Sequence, residues 1–421
     1  MAIPEDTRLA WFREAKFGLF VHWGIFTVPA GEWKGQTWHG VWIQQTADIP
    51  GEEYAKFASE FNPVGFDADQ LASLAERAGM RYLVITAKNH DGFCMFDTEL
   101  TDYNIVDATP FGRDPMKELA EACKAHGIKL CFYYSVKDWH HPEYPTLYTR
   151  RTRTHPDGFH GFPNPRADYM KYLAYLQGQV RELLTNYGPI GIMWFDWCGC
   201  ALSEDPHRER AHRIVEMIHE IQPACLINNR FCEIGADYGT PEQHIPREGQ
   251  KAAFEVCMTL NDNWSYNKHD RNWKDPGTVV HNLVDIVGKG GNYLLGVGPT
   301  AEGLVSDEAL RILEEVGQWL RANGESIYGA GPADQYLRWD REVDVVTAKP
   351  GRYYLHVFHW PDDGRIFLYD FRKHFKRAYL LADRNNPLKA DVYRRSVMIH
   401  VPRQAPDPID SVTIVEYEET P

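Results

Sequence analysis

The segment Gly191-Ile192-Met193-Trp194-Phe195-Asp196-Trp197 joins an apolar run to one carboxylate set between aromatic rings. The run reads as a buried strand. A core strand has no structural use for an ionised Asp at its end. A nucleophilic carboxylate, in contrast, works best when packing fixes it and water is partly excluded. The competing reading is an Asp that caps the next helix. Recurrence separates the two. Other predicted strand ends carry His22-Trp23, Lys88-Asn89-His90-Asp91, Tyr133-Tyr134-Ser135 and Asn228-Asn229-Arg230. Glu255 lies within a further strand, and Tyr238-Gly239-Thr240-Pro241-Glu242 follows the fifth. A single polar strand end is usually structural, but a series of them describes a site.

The elements that must position these groups alternate. Strands are predicted over Phe17 to Trp23, Tyr82 to Ala87, Lys129 to Ser135, Gly191 to Asp196, Cys225 to Asn229, Phe254 to Thr259 and Asn292 to Gly298. Helical patterns fall between them, over Ala68 to Ala78, Pro115 to His126, Asp168 to Tyr187, His207 to Ile221, Thr278 to Gly288 and Asp307 to Asn323. Gly79, Gly127, Gly188 and Gly324 stand where C-terminal caps belong. This alternation predicts an α/β fold of parallel strands, closed as an irregular (β/α)8 TIM-like barrel, with its site at the C-terminal strand ends. After Gly329-Ala330-Gly331-Pro332 the pattern changes to short antiparallel strands, with Pro361-Asp362-Asp363-Gly364 as a hairpin turn. Two domains are expected: a catalytic barrel over 1–330 and a small antiparallel β-sandwich over 331–421, too short to hold the main chemistry.

Composition narrows the class. The chain has 13 Trp, 22 Tyr and 20 Phe, many beside His, Asp and Glu. That mixture suits a carbohydrate site, where rings stack on apolar sugar faces, and equally an aromatic core. The net charge of −14 and the shortness of the Arg150–Arg153 patch argue against nucleic acid. No apolar stretch approaches the ~20 residues that span a bilayer. Met1 to Asp6 lacks a basic segment followed by an apolar one, so no secretory signal is read and a cytoplasmic setting is expected. The eight Cys are scattered; Cys94, Cys131, Cys225 and Cys257 lie in or beside strands, which fits reduced, buried thiols. Cys198 and Cys200 are too close for a usual zinc pair, and the adjacent His140 and His141 read as loop surface, so no metal or cofactor is expected.

The strand ends also carry a resemblance. Trp11-Phe12-Arg13-Glu14-Ala15-Lys16-Phe17-Gly18-Leu19-Phe20-Val21-His22-Trp23-Gly24 resembles the opening of the retaining α-L-fucosidase family of glycoside hydrolases. So do Ala87-Lys88-Asn89-His90-Asp91-Gly92-Phe93, Phe132 to Ser135, Thr240-Pro241-Glu242, Asn261 to Asn267 and Gly288 to Leu295. The match covers about residues 8 to 330. The resemblance implies a catalytic barrel and double displacement without metal or cofactor. It makes Asp196 the nucleophile, and its acid/base is Glu242 first, with Glu255 as the rival. It also assigns sugar recognition to His22, Trp42, His90, Tyr133, Trp194 and Arg230, with Asn89 beside them. Two departures stand out: Asn89 replaces a His, and Val41 replaces a Glu, on the side that reads O3 and O4 of the sugar.

The expected function is an exo-acting retaining α-L-glycosidase that releases terminal α-L-fucosyl residues through a glycosyl ester on Asp196. The departures at Asn89 and Val41 leave an α-L-glucosidase or α-L-galactosidase of changed C4 preference as the alternative. A non-catalytic carbohydrate-binding protein is the remote one. An oligosaccharide or other glycoside is the expected partner. Linkage, aglycone and any homo-oligomeric state are not readable from these residues.

Overall fold

In the computed structural model, residues 5–147, 162–163, 166–197, 202, 205–250 and 252–418 are described. The Arg150–Arg153 patch, Cys198, Cys200 and most of the 142–164 loop lie outside them. Seven apolar runs form a parallel sheet: β1 Phe17–Val21, β2 Tyr82–Lys88, β3 Lys129–Ser135, β4 Ile192–Asp196, β5 Leu226–Ile227, β6 Glu255–Thr259 and β7 Asn292–Val297. Their spatial order is β5-β4-β3-β2-β1-β7-β6. Every residue of β1, β2, β4, β6 and β7 is buried, as parallel strands covered on both faces require.

The edge strands β5 and β6 do not pair with each other. Residues 238–242 run between them instead, through parallel bridges from Asn228 to Tyr238, Gly239 to Phe254 and Glu242 to Cys257. The Glu255 amide donates to the Gly239 carbonyl at 2.8 Å and the Cys257 amide to the Pro241 carbonyl at 3.0 Å. Pro241 has no N–H to return, so this eighth stave is an interrupted ladder rather than a strand. The curled sheet is a TIM-like barrel, irregular at this seam.

Strand alternation gives the barrel two packed faces. Tyr82, Val84, Cys131, Tyr133, Ile192, Trp194, Cys257 and Leu294 fill the interior. Leu83, Ile85, Phe132, Met193, Val256 and Leu295 pack outward into the larger core. The sequence reading had not singled out helix α1, Glu5–Ala15, whose Leu9, Phe12 and Ala15 join the interior cluster. It plugs the end opposite the polar strand ends, where the Asn292 amide donates to the Phe12 carbonyl at 2.7 Å.

The crossover helices are α2 Ala68–Arg77, α3 Pro115–Ala125, α4 Tyr169–Asn186, α5 His207–Ile221, α6 Pro276–Gly288 and α7 Asp307–Asn323. Side chains of Asp67, Asp114, Asp168, Asp275 and Ser306 accept first-turn amides, so most starts are written in the sequence as caps. Gly79, Gly127 and Gly188 adopt φ of 79, 66 and 77°, as expected of left-handed caps. Gly324 does not: its φ is −57°, and the chain tightens there into a 3-10 turn against Tyr328. No helix among the described residues is long and apolar enough to cross a membrane.

Two antiparallel sheets follow. One has six strands in the order Gly331–Pro332, Val345–Lys349, Arg352–Val357, Ser411–Glu418, His374–Leu380, Asp383–Leu388. The other has four: Arg338–Trp339, Arg365–Tyr369, Ser396–His400, Ala390–Tyr393. The 361–364 turn closes with the Gly364 amide on the Pro361 carbonyl at 3.1 Å. It is not a hairpin turn, because its flanking strands belong to different sheets. Leu355, Ile366, Leu368, Val397, Ile399 and Val415 form the core between the sheets. On the opposite face Tyr354, Val412 and Ile414 join the barrel's outer core. At that junction the Trp319 indole donates to the Asp410 carbonyl at 3.1 Å, and Asp410 Oδ2 holds His356 Nδ1 at 2.6 Å.

Cys94, Cys123, Cys131, Cys225 and Cys257 are free and buried. Cys232 departs from the reduced-thiol expectation. It lies in the turn after β5 at φ 52°, rather than in a strand, and is disulfide-bonded to a partner outside the described residues.

Candidate active site

A pocket of about 640 Å³ opens at the C-terminal end of the barrel. Its principal polar groups come from different staves of the barrel. His22 follows β1, His90 follows β2, Tyr133 lies in β3, Asp196 ends β4, Arg230 follows β5, and Glu242 closes the seam. The parallel sheet thus aims its polar termini at one volume.

Asp196 is buried, and Tyr133 Oη donates to its Oδ2 at 2.8 Å. Arg230 Nη1 donates to its Oδ1 at 3.1 Å. Burial pushes its pKa above the usual carboxylate range, while Arg230 and Tyr133 pull it back. Both oxygens are therefore oriented in an ionised form that packing would otherwise disfavour. The second terminal nitrogen of Arg230 donates to Glu242 Oε2 at 2.7 Å, and the Trp264 indole donates to Glu242 Oε1 at 3.2 Å. Glu242 is 40% exposed in its side chain, against 12% for Asp196. One carboxylate is enclosed, the other stands at the wetter rim, and one guanidinium bridges them.

Glu255 does not line this pocket. It sits in the barrel interior beneath, fully buried, and accepts from Tyr82 Oη at 2.5 Å, Trp194 Nε1 at 2.9 Å and Tyr238 Oη at 3.4 Å. Burial raises its pKa to about 7 against those three donors. It anchors Trp194, whose ring stacks on Tyr133 at 5.6 Å and lies 4.7 Å from the Arg230 guanidinium carbon.

His22 and His90 are both held neutral. Burial, then the nearby Arg230, lowers His22 to about 3. Burial, then Lys137, takes His90 well below its ordinary value. His90 Nδ1 meets Ser135 Oγ at 2.7 Å, while His22 Nδ1 has no partner among the described residues. Trp42 packs 4.6 Å from the His90 ring and lines the wall with Val41. Asn89 does not line the wall. It is buried, with neither side-chain atom partnered among the described residues. Of the two departures noted in the sequence, only Val41 faces the cavity.

Several groups were not foreseen. Trp264 holds Glu242, Trp197 and Trp38 shape the mouth, and Phe20 and Cys257 complete the apolar lining. Lys137 is buried beside the mouth, its amine 3.7 Å from the Trp197 ring centroid and 4.8 Å from that of Trp42. Burial lowers its pKa to about 8, with Asp196 opposing. The cue was present, since Lys137 follows β3 directly, but a lone Lys after a strand ordinarily reads as surface. His140 is exposed and stacked on Tyr103 at 3.9 Å. No cluster of three His, Cys, Asp or Glu side chains suited to a metal occurs among the described residues.

Residues 4–325 match the family described as α-L-fucosidase. Among characterised relatives, tissue α-L-fucosidase of Homo sapiens is 30% identical over 381 residues, covering 85% of this chain and 77% of its own. α-L-Fucosidase of Dictyostelium discoideum is 28% identical over 387 residues, covering 86% and 80%. Among solved structures, α-L-fucosidase isoenzyme 1 from Paenibacillus thiaminolyticus superposes with a TM-score of 0.87 at 38% identity, covering 99% of this chain and all of its own. A Bacteroides thetaiotaomicron α-L-fucosidase, trapped as a covalent intermediate with 2-fluoro-fucosyl fluoride, gives 0.86 at 26% identity, covering 99% and 98%.

Proposed function

The chain belongs to the α-L-fucosidase family of glycoside hydrolases, and from that premise we propose that it is an exo-acting retaining α-L-fucosidase with Asp196 as nucleophile and Glu242 as acid/base. The catalytic unit is residues 1–330, and the sandwich of 331–421 buttresses it. The observation that carries the assignment is the Arg230 bridge, 3.1 Å to Asp196 and 2.7 Å to Glu242. One guanidinium in contact with both carboxyls keeps them about a single substrate position, as double displacement needs.

In the first step Asp196 attacks the anomeric carbon, and Glu242 gives its proton to the glycosidic oxygen, releasing the aglycone. Glu242 then takes a proton from water, which attacks the same carbon and frees Asp196. Neutral His22 and His90 can each present a ring nitrogen to a sugar hydroxyl, His90 through Nε2 because Ser135 holds its Nδ1. Phe20, Cys257 and Trp264 give an apolar patch suited to the C5 methyl of L-fucose. An L-galactoside would bury a hydroxyl there, at a cost of about 1–3 kcal/mol if unpaired. Val41 on the wall keeps the changed-C4 reading as the rival; kcat/KM for aryl α-L-glucoside against aryl α-L-fucoside decides it, and the galactoside, which keeps the C4 configuration of fucose, reports on the C5 methyl pocket.

Roles are tested by azide rescue. Asp196→Gly should lose on the order of 10³-fold or more and regain turnover with azide as a β-fucosyl azide. Glu242→Ala should lose about 10²–10⁴-fold and yield the α-azide. Rescue of Glu255→Ala to the α-azide, with none for Glu242→Ala, would reverse the acid/base assignment.

A further inference from the structure

Trp38 stands 61% exposed at the mouth of the pocket, an unfavourable place for the largest apolar side chain. The chain nevertheless fixes it. Asn267 Nδ2 donates to the carbonyls on either side of it, Thr37 at 2.9 Å and His39 at 3.1 Å. The His39 ring packs 4.3 Å from the indole and is itself tied to Thr46 Oγ1 at 2.8 Å. An exposed ring on a backbone pinned at both flanks is a prepared surface rather than a loose loop tip.

The indole borders two cavities. One is the nucleophile pocket, and the other is a shallow cleft of about 660 Å³ between Trp38 and the 262–272 loop. That loop also carries Trp264, the indole that holds Glu242. The acid/base must lie against the glycosidic oxygen, so the departing group starts on this side. Polar groups in the cleft are already ordered. Asn272 Nδ2 reaches both oxygens of Asp262 at 3.0 Å, and Asn263 Nδ2 reaches Asp270 Oδ2 at 2.7 Å. Each carboxylate keeps lone pairs for hydroxyl protons.

We propose that the cleft between Trp38 and the 262–272 loop is the leaving-group subsite, and that it takes a saccharide whose apolar face lies on the Trp38 indole. The inference rests on the fucosidase reading above. Stacking supplies affinity, and the Asp262–Asn272 and Asp270–Asn263 pairs read hydroxyls.

The test is the ratio of kcat/KM for an α-L-fucosylated lactose to that for α-L-fucosyl fluoride, which has no aglycone to occupy the cleft. Trp38→Ala should lower this ratio on the order of tenfold, Trp38→Phe should retain it within about threefold, and Asn272→Ala should lower it about threefold or more. A ratio unmoved by Trp38→Ala, or both substrates falling in step, overturns the subsite. A parent protein that cleaves neither substrate overturns the fucosidase reading itself.

Discussion

In the proposed mechanism Asp196 is the nucleophile, and its hydrogen bonds to Tyr133 and Arg230 set the pH dependence of the reaction. The free enzyme must hold Asp196 ionised, so kcat/KM falls as pH drops through the pKa that burial has raised. The Tyr133 hydroxyl stabilises the ionised form from 2.8 Å. Tyr133→Phe removes that donor, so the pKa rises further and the acid limb of kcat/KM moves to higher pH. A limb that stays in place or shifts downward in a pH–rate series would show that Tyr133 does not tune the nucleophile. Residue-scale reading from sequence went far for groups that end a strand. Asp196, His22, His90, Tyr133 and Arg230 all converge on one cavity. It fell short for Asn89, because a one-residue difference after a strand decides whether a side chain faces the cavity or the packing behind it. Trp38 and Lys137 were silent because nothing local distinguishes a pinned or buried member of those types from an ordinary surface one.

Among the elements, legibility follows burial. The seven barrel strands and six crossover helices are apolar runs and amphipathic periods with Asp or Ser caps at most helix starts, and they lie within a few residues of expectation. Asp383–Leu388 escaped because it is an almost wholly exposed edge strand, Asp-Arg-Asn-Asn-Pro-Leu, with no apolar alternation to read. Helix contacts add a constraint that composition hides. α7 crosses α2 at Gly317, where a Cβ would run into the Arg77 carbonyl oxygen, a backbone atom that cannot rotate away. Gly317→Ala improves local helix propensity by up to about 1 kcal/mol yet forces the two helices apart at a cost of about 1–3 kcal/mol. Urea melts should therefore show net destabilisation with activity preserved at low temperature; a more stable variant would mean that the crossing is looser than drawn.

At the scale of the molecule, the barrel, its plug and the two antiparallel sheets pack through shared buried cores among the described residues, and the closing seam departs from that pattern as an interrupted ladder. The α1 helix seals the far end, and the Trp319, His356 and Asp410 contacts join the barrel to the six-stranded sheet. The sequence pattern revealed that a barrel must exist but not how it closes, since Tyr238-Gly239-Thr240-Pro241-Glu242 has the composition of a loop. Glu242, the proposed proton donor, thus rides on a stave whose ladder Pro241 interrupts. On warming, that part should detach first, in a local opening that leaves the rest of the fold intact. Catalysis is then expected to fail several degrees below the calorimetric transition and to return on prompt cooling, while deuterium uptake at 238–242 outpaces that of the neighbouring staves. Heat would disarm the protein well before it melts.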